Sequence, residues 1–442
     1  MKSNYNIRVR IPNRIYQSVL NDLRRPHDYA YERVGFLFTK EICIQNKTFI
    51  VLATHYEPVK DENYIKDKSV GAHINSKAIR EAMQIAMDNQ YGCYHVHMHN
   101  HNGMPALSAI DKQGIPDVIR SFGNAIRGIN HGLMIFSKDS VLCQVRIGNR
   151  LVNSDVTSLV GYPMSFFHVQ KSQIKSSNIF DRQSFLGPNS QFLLENVRVC
   201  VIGYGGGGSH IGQQLSHLGV KNITVIDNDI IEDSNLNRLI GGKYSDIKKA
   251  TPKTNIAKHV INAILPRAKP NCIKDVWQNH LETIQMSDIV IAGVDTYSDR
   301  ERLEGFCRRS LIPYLDIGMD IHKIDQQFYI SGQVILSMPG MCCMKCSNFI
   351  NEADLGEEAG KYGNFGKRPQ VVWSNGVLAS TAIGVFVDIV TKWTGQTDRA
   401  VYYEYDGNTG TVFASRRLKV IDHSNCKHYL IQNIGPPRFK TL

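Results

Sequence analysis

Two stretches of the chain carry residue types whose spacing can do chemistry. In the first, Gly92-Cys-Tyr-His95-Val-His97 ends a strand-like run. Alternation along a strand puts His95 and His97 on one face, where both imidazoles can reach one ion. Ser108-Ala-Ile-Asp111 follows at a helix start, with Ser108 as N-cap. Two histidines, one aspartate and a water make a zinc site with an open position, and zinc lowers the pKa of its water to about 7. Upstream, Glu32-Arg-Val-Gly35 offers a carboxylate as general base. His99 and His101 continue the histidine run, which leaves the register His97 with His99 open.

The second stretch is Gly203-Tyr-Gly-Gly-Gly-Gly-Ser209, which fits G-x-G-x-x-G through Gly203, Gly205 and Gly208, with Gly206 inside the loop. Glycine permits the tight turn and lets backbone N–H groups meet phosphate at the positive end of the next helix. Asp227 closes a second strand about 20 residues on, where a carboxylate can bind a ribose hydroxyl. Alone, the loop fits any dinucleotide-binding domain, with a dehydrogenase as the default. The next segments argue otherwise. Asp227-Asn-Asp229 is followed by Ser234-Asn235-Leu-Asn-Arg238, then Thr251-Pro-Lys253, then an apolar strand from Ile289 to Val294 that ends at Asp295. Two cations and a carboxylate around a glycine loop suit a triphosphate with Mg²⁺ better than a nicotinamide dinucleotide.

A third cluster is structural in character. Cys343-Met-Lys-Cys346 has zinc-knuckle spacing and needs a second pair to close a tetrahedron. His423-Ser-Asn-Cys426-Lys-His428 offers that pair; His423 has the better spacing to Cys426, and His428 stays open.

These groups need elements to hold them. Up to about Val156, short strand-like runs alternate with one helical pattern, Ser76 to Asn89, which predicts a mixed α+β domain over 1–155 with a mostly antiparallel sheet. The aperiodic residues 156–172 read as a linker. From 173 to 442 the order of strand, glycine loop, helix and strand predicts an α/β domain with a doubly wound parallel sheet. At 442 residues, 42% hydrophobic and 21% charged, the chain is an ordinary globular one. The net charge of +11 comes without a basic run or a helix-turn-helix, so an anionic nucleotide or an acidic protein is the expected partner, and nucleic acid is not. Gly376 to Val390 is apolar but interrupted by Ser380, Thr381 and Asp388, so it reads as a buried helix, not a membrane span. The ten cysteines are mostly scattered, as in a reducing compartment, and a cytoplasmic location is expected.

Residues from about 180 to 430 resemble the ThiF-like adenylyltransferases, which include ubiquitin-activating enzymes and activators of sulfur-carrier proteins. The likeness rests on Phe180-Asp-Arg182-Gln183, the glycine loop, Asp227-x-Asp229, Asn235-Leu-Asn-Arg238, Pro252-Lys253, Asp295 and Gly332-Gln-Val. It implies that Asp227 holds the ribose, that Asn235, Arg238 and Lys253 hold the phosphates of ATP, and that Asp295 carries Mg²⁺. It also implies a homodimer in which Arg182 reaches ATP in the other subunit. Thr296 stands where the family usually has asparagine, and Val372 where many members have a reactive cysteine. No cysteine lies between Cys346 and Cys426, so adenylylation is the expected chemistry and a thioester is not.

Residues from about 10 to 150 resemble the JAMM/MPN metalloproteases. That likeness implies Glu32 as base, His95, His97 and Asp111 as zinc ligands, and Ser108 at the oxyanion. Gly-x-Tyr-His-x-His matches the family strand and favours His95 with His97, although ten residues, where the family has seven, then separate His97 from Ser108. Together the two halves are similar to fusions in bacterial ubiquitin-like modification systems. The expected function is ATP-dependent activation of a ubiquitin-like protein's C-terminal carboxylate, coupled to zinc-dependent processing or deconjugation of that protein, with a place for a conjugating enzyme. The alternative is adenylylation of a peptide or small-molecule carboxylate, with the first half as a docking domain.

Overall fold

The computed structural model describes residues 5–436 apart from 27, 29, 68, 170–177, 361–368 and 423–425. The chain divides into two units: Met1–Gly161, Ser165–Gln173 and Ile431–Leu442 form one, and Tyr162–Met164 with Ile174–Leu430 form the other.

The first unit runs β1 (Asn6–Pro12), α1 (Asn13–Leu23), β2 (Val34–Ile44), β3 (Thr48–Pro58), α2 (Ser76–Asn89), β4 (Gly92–Met98), α3 (Ala109–Ala125), β5 (Gly132–Phe136), β6 (Val141–Ile147), β7 (Arg150–Asn153), β8 (Val156–Val160) and β9 (Ser165–His168). Its strands form one mixed sheet in the order β7-β6-β5-β4-β2-β3-β1-β8-β9. Strand β1 is parallel to β3 and β8, and β4 to β5; the other neighbours are antiparallel. Alternation in β2 sends Leu37 to one face, with Ile15, Val19 and Leu20 of α1, and Phe36 and Phe38 to the other. There Ala78, Ala82 and Ala86, spaced one helical turn apart, let α2 approach the two rings. Each buried phenylalanine contributes about 1.5–3 kcal/mol. Residues 156–169, expected to be linker, instead form β8 and β9. Val156–Val160 is buried along its whole length, so no alternation marks it as a strand.

The second unit runs α4 (Ser190–Asn196), β10 (Arg198–Ile202), α5 (Gly206–His217), β11 (Asn222–Ile226), α6 (Tyr244–Lys248), α7 (Lys253–Ile264), β12 (Asn271–Ile273), α8 (Leu281–Gln285), β13 (Ile289–Ala292), α9 (Tyr297–Arg309), β14 (Tyr314–Ile324), β15 (Gln327–Ser337), α10 (Glu352–Gly360), α11 (Val372–Thr391), β16 (Tyr402–Asp406) and β17 (Thr411–Ala414). The strand order is β12-β11-β10-β13-β14-β15-β16-β17. From β12 to β14 the neighbours are parallel, and from β14 to β17 antiparallel. Chain direction across the sheet reverses between β10 and β13, and a ligand crevice opens at such a switch point. Helix α11 is 20 residues long and apolar enough to cross a membrane by composition, longer than the sequence suggested. Two-thirds of it is buried against α5, β14 and β15, which makes it a core helix.

Candidate functional site

A cleft of about 180 Å³ opens at the switch point, lined by the 203–208 loop, Asp227, Asp229, Asn235, Arg238, Lys253 and Asp295. Gly203 sits at φ +84°, and a Cβ on Gly208 would lie 1.9 Å from the Gly203 carbonyl oxygen, so neither position accepts a side chain. Gly205 precedes α5 and supplies no side-chain cap, which leaves first-turn N–H groups to meet an anion. Helix α9, beside Asp295, is closed instead: Glu358 accepts from Tyr297 N–H at 2.8 Å and from Ser298 N–H at 2.9 Å. Thr296, at the position where asparagine was expected, caps α9 by accepting from Asp299 N–H at 3.1 Å.

Asp227 is fastened from both sides, accepting from Tyr204 N–H at 2.5 Å and Asp229 N–H at 2.8 Å. Burial pushes its carboxyl up, and the Lys253 charge opposes that rise. Lys253 opens α7 and pairs with Asp229 at 2.6 Å. Arg238 donates to the Ser234 carbonyl; burial pulls its guanidinium down from the usual range, against the nearby Asp295 charge. The Asn235 side-chain carbonyl accepts from Glu232 N–H at 3.1 Å, and the residue lines the cleft. Arg182 is exposed in the 3-10 segment Asn178–Leu186 and is not among the residues that line its own chain's cleft. Val372 begins α11 and is 37% exposed.

Sequence reading missed part of the cleft wall. Arg300 lines it, with Nε donating to Asp316 at 3.0 Å; Asp316 is fully buried and also accepts from Tyr314 Oη at 2.8 Å and Gln333 Nε2 at 3.3 Å. Burial disfavours the Arg300 charge, but Asp316 and Tyr314 more than offset it. An aspartate in the apolar run Tyr314-Leu-Asp316-Ile was the available signal.

In the first unit the structure brings together Glu32, His97, His99 and Asp111, and the register differs from the favoured one. His97 Nε2 lies 3.2 Å from His99 Nε2, and each lies 3.5 Å from an Asp111 oxygen. A tetrahedral ion with bonds of about 2.0–2.1 Å has ligand edges of about 3.3 Å, so the set fits zinc. Glu32 presents an oxygen within 4.8 Å of both imidazoles. His95 shares the His97 face and is buried as His97 is, but it stands outside the Glu32, His97, His99 group and packs edge-on to Phe36 at 6.0 Å. Burial lowers its pKa to about 3. Alternation specifies the face of a strand, not the position along it, and β4 ends at Met98, where the next histidine, His99, turns back toward His97 and Asp111. From His99 to Ser108 eight residues intervene. Ser108 caps α3 and forms a capping box with Asp111: its Oγ accepts from Asp111 N–H at 3.1 Å, and its N–H donates to the carboxylate at 2.7 Å. Burial opposes ionisation of Asp111, but His97 and Ser108 hold it well below the usual carboxylate range. Burial raises Glu32.

The cysteine cluster closes with His428. Cys343 and Cys346 Sγ lie 3.6 Å apart, Cys346 and Cys426 3.8 Å, and His428 Nδ1 is 3.4 Å from Cys343 and from Cys346. These match the edges, about 3.5–3.8 Å, of a zinc tetrahedron with three sulfurs and one nitrogen. His423 lies outside the described residues. The turn is anchored from α9: Arg308 donates to the Met341 and Cys342 carbonyls, and buried Glu304 accepts from Met344 N–H at 2.9 Å.

Known proteins resemble part of this chain. The SAMP-activating enzyme E1 of Haloferax volcanii is 30% identical over 36% of this chain and 57% of its own length. The tRNA threonylcarbamoyladenosine dehydratase of Haemophilus influenzae is 30% identical over 30% of this chain and 51% of its own. The sulfur carrier protein ThiS adenylyltransferase of Bacillus subtilis is 28% identical over 29% of this chain and 39% of its own. The chain thus spans about half the length of these relatives. The profile of the ThiF family matches residues 177–428, more than half of the chain, and the chain belongs to that family.

Proposed function

We propose that the chain activates the C-terminal carboxylate of a ubiquitin-like protein by adenylylation with ATP, and that its first unit processes or deconjugates the same protein with zinc. The observation that carries the first part is the convergence of the 203–208 loop, Asp227, Asn235, Arg238, Lys253 and Asp295 on one cleft. A carboxylate is a weak nucleophile, but held in line with the α-phosphorus it displaces pyrophosphate and leaves an acyl adenylate. The open N-terminus of α5, Arg238 and Lys253 receive the phosphates and spread their charge. Asp227 holds the ribose. Asp295 would hold Mg²⁺, which supplies further charge neutralisation. No base is needed, because the attacking carboxylate is already ionised. Arg182 completes the charge of the other subunit's site in a homodimer.

In the first unit His97, His99 and Asp111 would hold zinc, which acidifies a water and polarises a carbonyl. Glu32, with its carboxyl raised by burial, takes and returns the proton. Ser108 Oγ accepts from Asp111, which leaves its own proton to donate to an oxyanion. Cleavage at the carrier's last glycine exposes the carboxylate that the second unit activates.

The test is carrier-dependent ATP–pyrophosphate exchange. Wild-type protein exchanges label with a carrier ending in a free glycine and not with short free peptides, and Asp295→Ala loses the activity while remaining folded. Exchange with peptides alone would move the reading to a peptide-carboxylate adenylyltransferase; full exchange by Asp295→Ala would remove the magnesium assignment.

A further inference from the structure

Glu32 lies in irregular chain, two residues before β2, so no ladder holds it. What holds it is the excursion between β3 and α2. The Gly71 carbonyl accepts from Tyr31 N–H at 2.9 Å and Glu32 N–H at 3.0 Å. The Glu32 side chain rests on the same glycine, since a Cβ there would lie 2.8 Å from Oε2 and 3.0 Å from the carboxyl carbon. Tyr64 Oη, on the same excursion, accepts from Val34 N–H at 2.8 Å and donates to Val34 C=O at 3.2 Å. Arg33 is nearly buried and donates to the Arg25 and Pro26 carbonyls and to Asp61. The excursion is closed on itself by an antiparallel bridge between Tyr64 and Ile74, by Ile65 N–H to His73 C=O at 2.8 Å and by Asn75 N–H to Asn63 C=O at 2.9 Å.

We propose that Gly71 is a positioning residue for Glu32: its carbonyl fixes the backbone of the base, and its missing side chain leaves the space the carboxylate occupies beside His97 and His99. The inference rests on the proposed hydrolytic role of the first unit. No other residue type leaves that space. A methyl at 71 would be tighter than a carboxylate contact allows, and the backbone under it is bonded twice, so the carboxylate is the part that moves. A displacement of about 1 Å in a catalytic group costs about a hundredfold in rate. Metal binding is untouched, because His97, His99 and Asp111 keep their places.

The experiment compares wild type, Gly71→Ala, Glu32→Gln and the double variant on a carrier with a C-terminal extension, under single turnover with excess protein, beside Zn²⁺ titration of each apo-protein. Gly71→Ala is expected to lower the cleavage rate about a hundredfold at saturating carrier. Its KM and zinc affinity stay unchanged, and so does its ATP–pyrophosphate exchange, which reports that the protein is folded. In the Glu32→Gln background the same substitution costs nothing further, since it acts through the carboxylate. Should Gly71→Ala not fold, Tyr64→Phe, which removes the hydroxyl on Val34, gives the same non-additivity with a smaller loss. Wild-type cleavage by Gly71→Ala, loss of zinc, or an equal loss in both backgrounds overturns the assignment. A wild-type protein that neither binds zinc there nor cleaves the carrier instead overturns the hydrolytic reading on which it rests.

Discussion

Lys253 Nζ lies 2.6 Å from Asp229 Oδ2; the lysine is nearly buried at the cleft, while the acid's side chain is 56% exposed. On the proposed reading the cation is held ready by a partner that can turn to solvent at little cost when phosphate arrives. Lys253→Ala is expected to lower exchange about a hundredfold, in line with about 1.5–3 kcal/mol for a charge-assisted hydrogen bond. Asp229→Asn loses only the placement and costs less than about tenfold, mostly as a higher KM for ATP. Equal effects of the two substitutions would make Asp229 a direct ligand.

Arg182 is exposed and is not among the residues that line its own chain's cleft. If it serves the other subunit, Arg182→Ala and Asp295→Ala proteins, each inactive alone, regain part of the exchange activity when mixed, through hybrid dimers with one intact site. No recovery, with subunit exchange confirmed by mass, leaves Arg182 without a role in the other subunit.

The histidine register has a direct readout. His97→Ala and His99→Ala are both expected to lose the zinc of the first unit, because two protein ligands rarely hold a catalytic zinc. His95→Ala keeps the metal and loses about 1–3 kcal/mol of stability, as a truncation beside Phe36 in the core. Metal content and thermal melts of the three proteins decide it. Retention of zinc by His99→Ala with loss by His95→Ala would restore the register favoured from sequence.

At the cysteine cluster, Cys346→Ser or His428→Ala releases one zinc per chain and lowers the melting temperature, since metal binding there is folding free energy. His423→Ala keeps that zinc. The reverse pattern between the two histidines would show that His428 is a bystander.

The cleft at the switch point was legible in the chain because its parts sit at strand ends. Gly203 to Gly208, Asp227 and Asp295 each end a strand of the parallel sheet, and a parallel sheet brings all its strand ends to one edge. Lys253 and Ser108 were legible for a related reason: each marks a helix start, where spacing along the chain and position in space coincide. The rest depended on distance in the fold. Asp316 meets Arg300 across 16 residues and a strand–helix boundary, and no periodicity announces a buried pair. His95 and His99 are equivalent by alternation along β4, and only the ring of Phe36 and the end of the strand separate a core histidine from a rim histidine. The choice of His428 at the cysteines rests on an 85-residue closure onto Cys343, and β8 was hidden because a strand buried on both faces has no alternation to show.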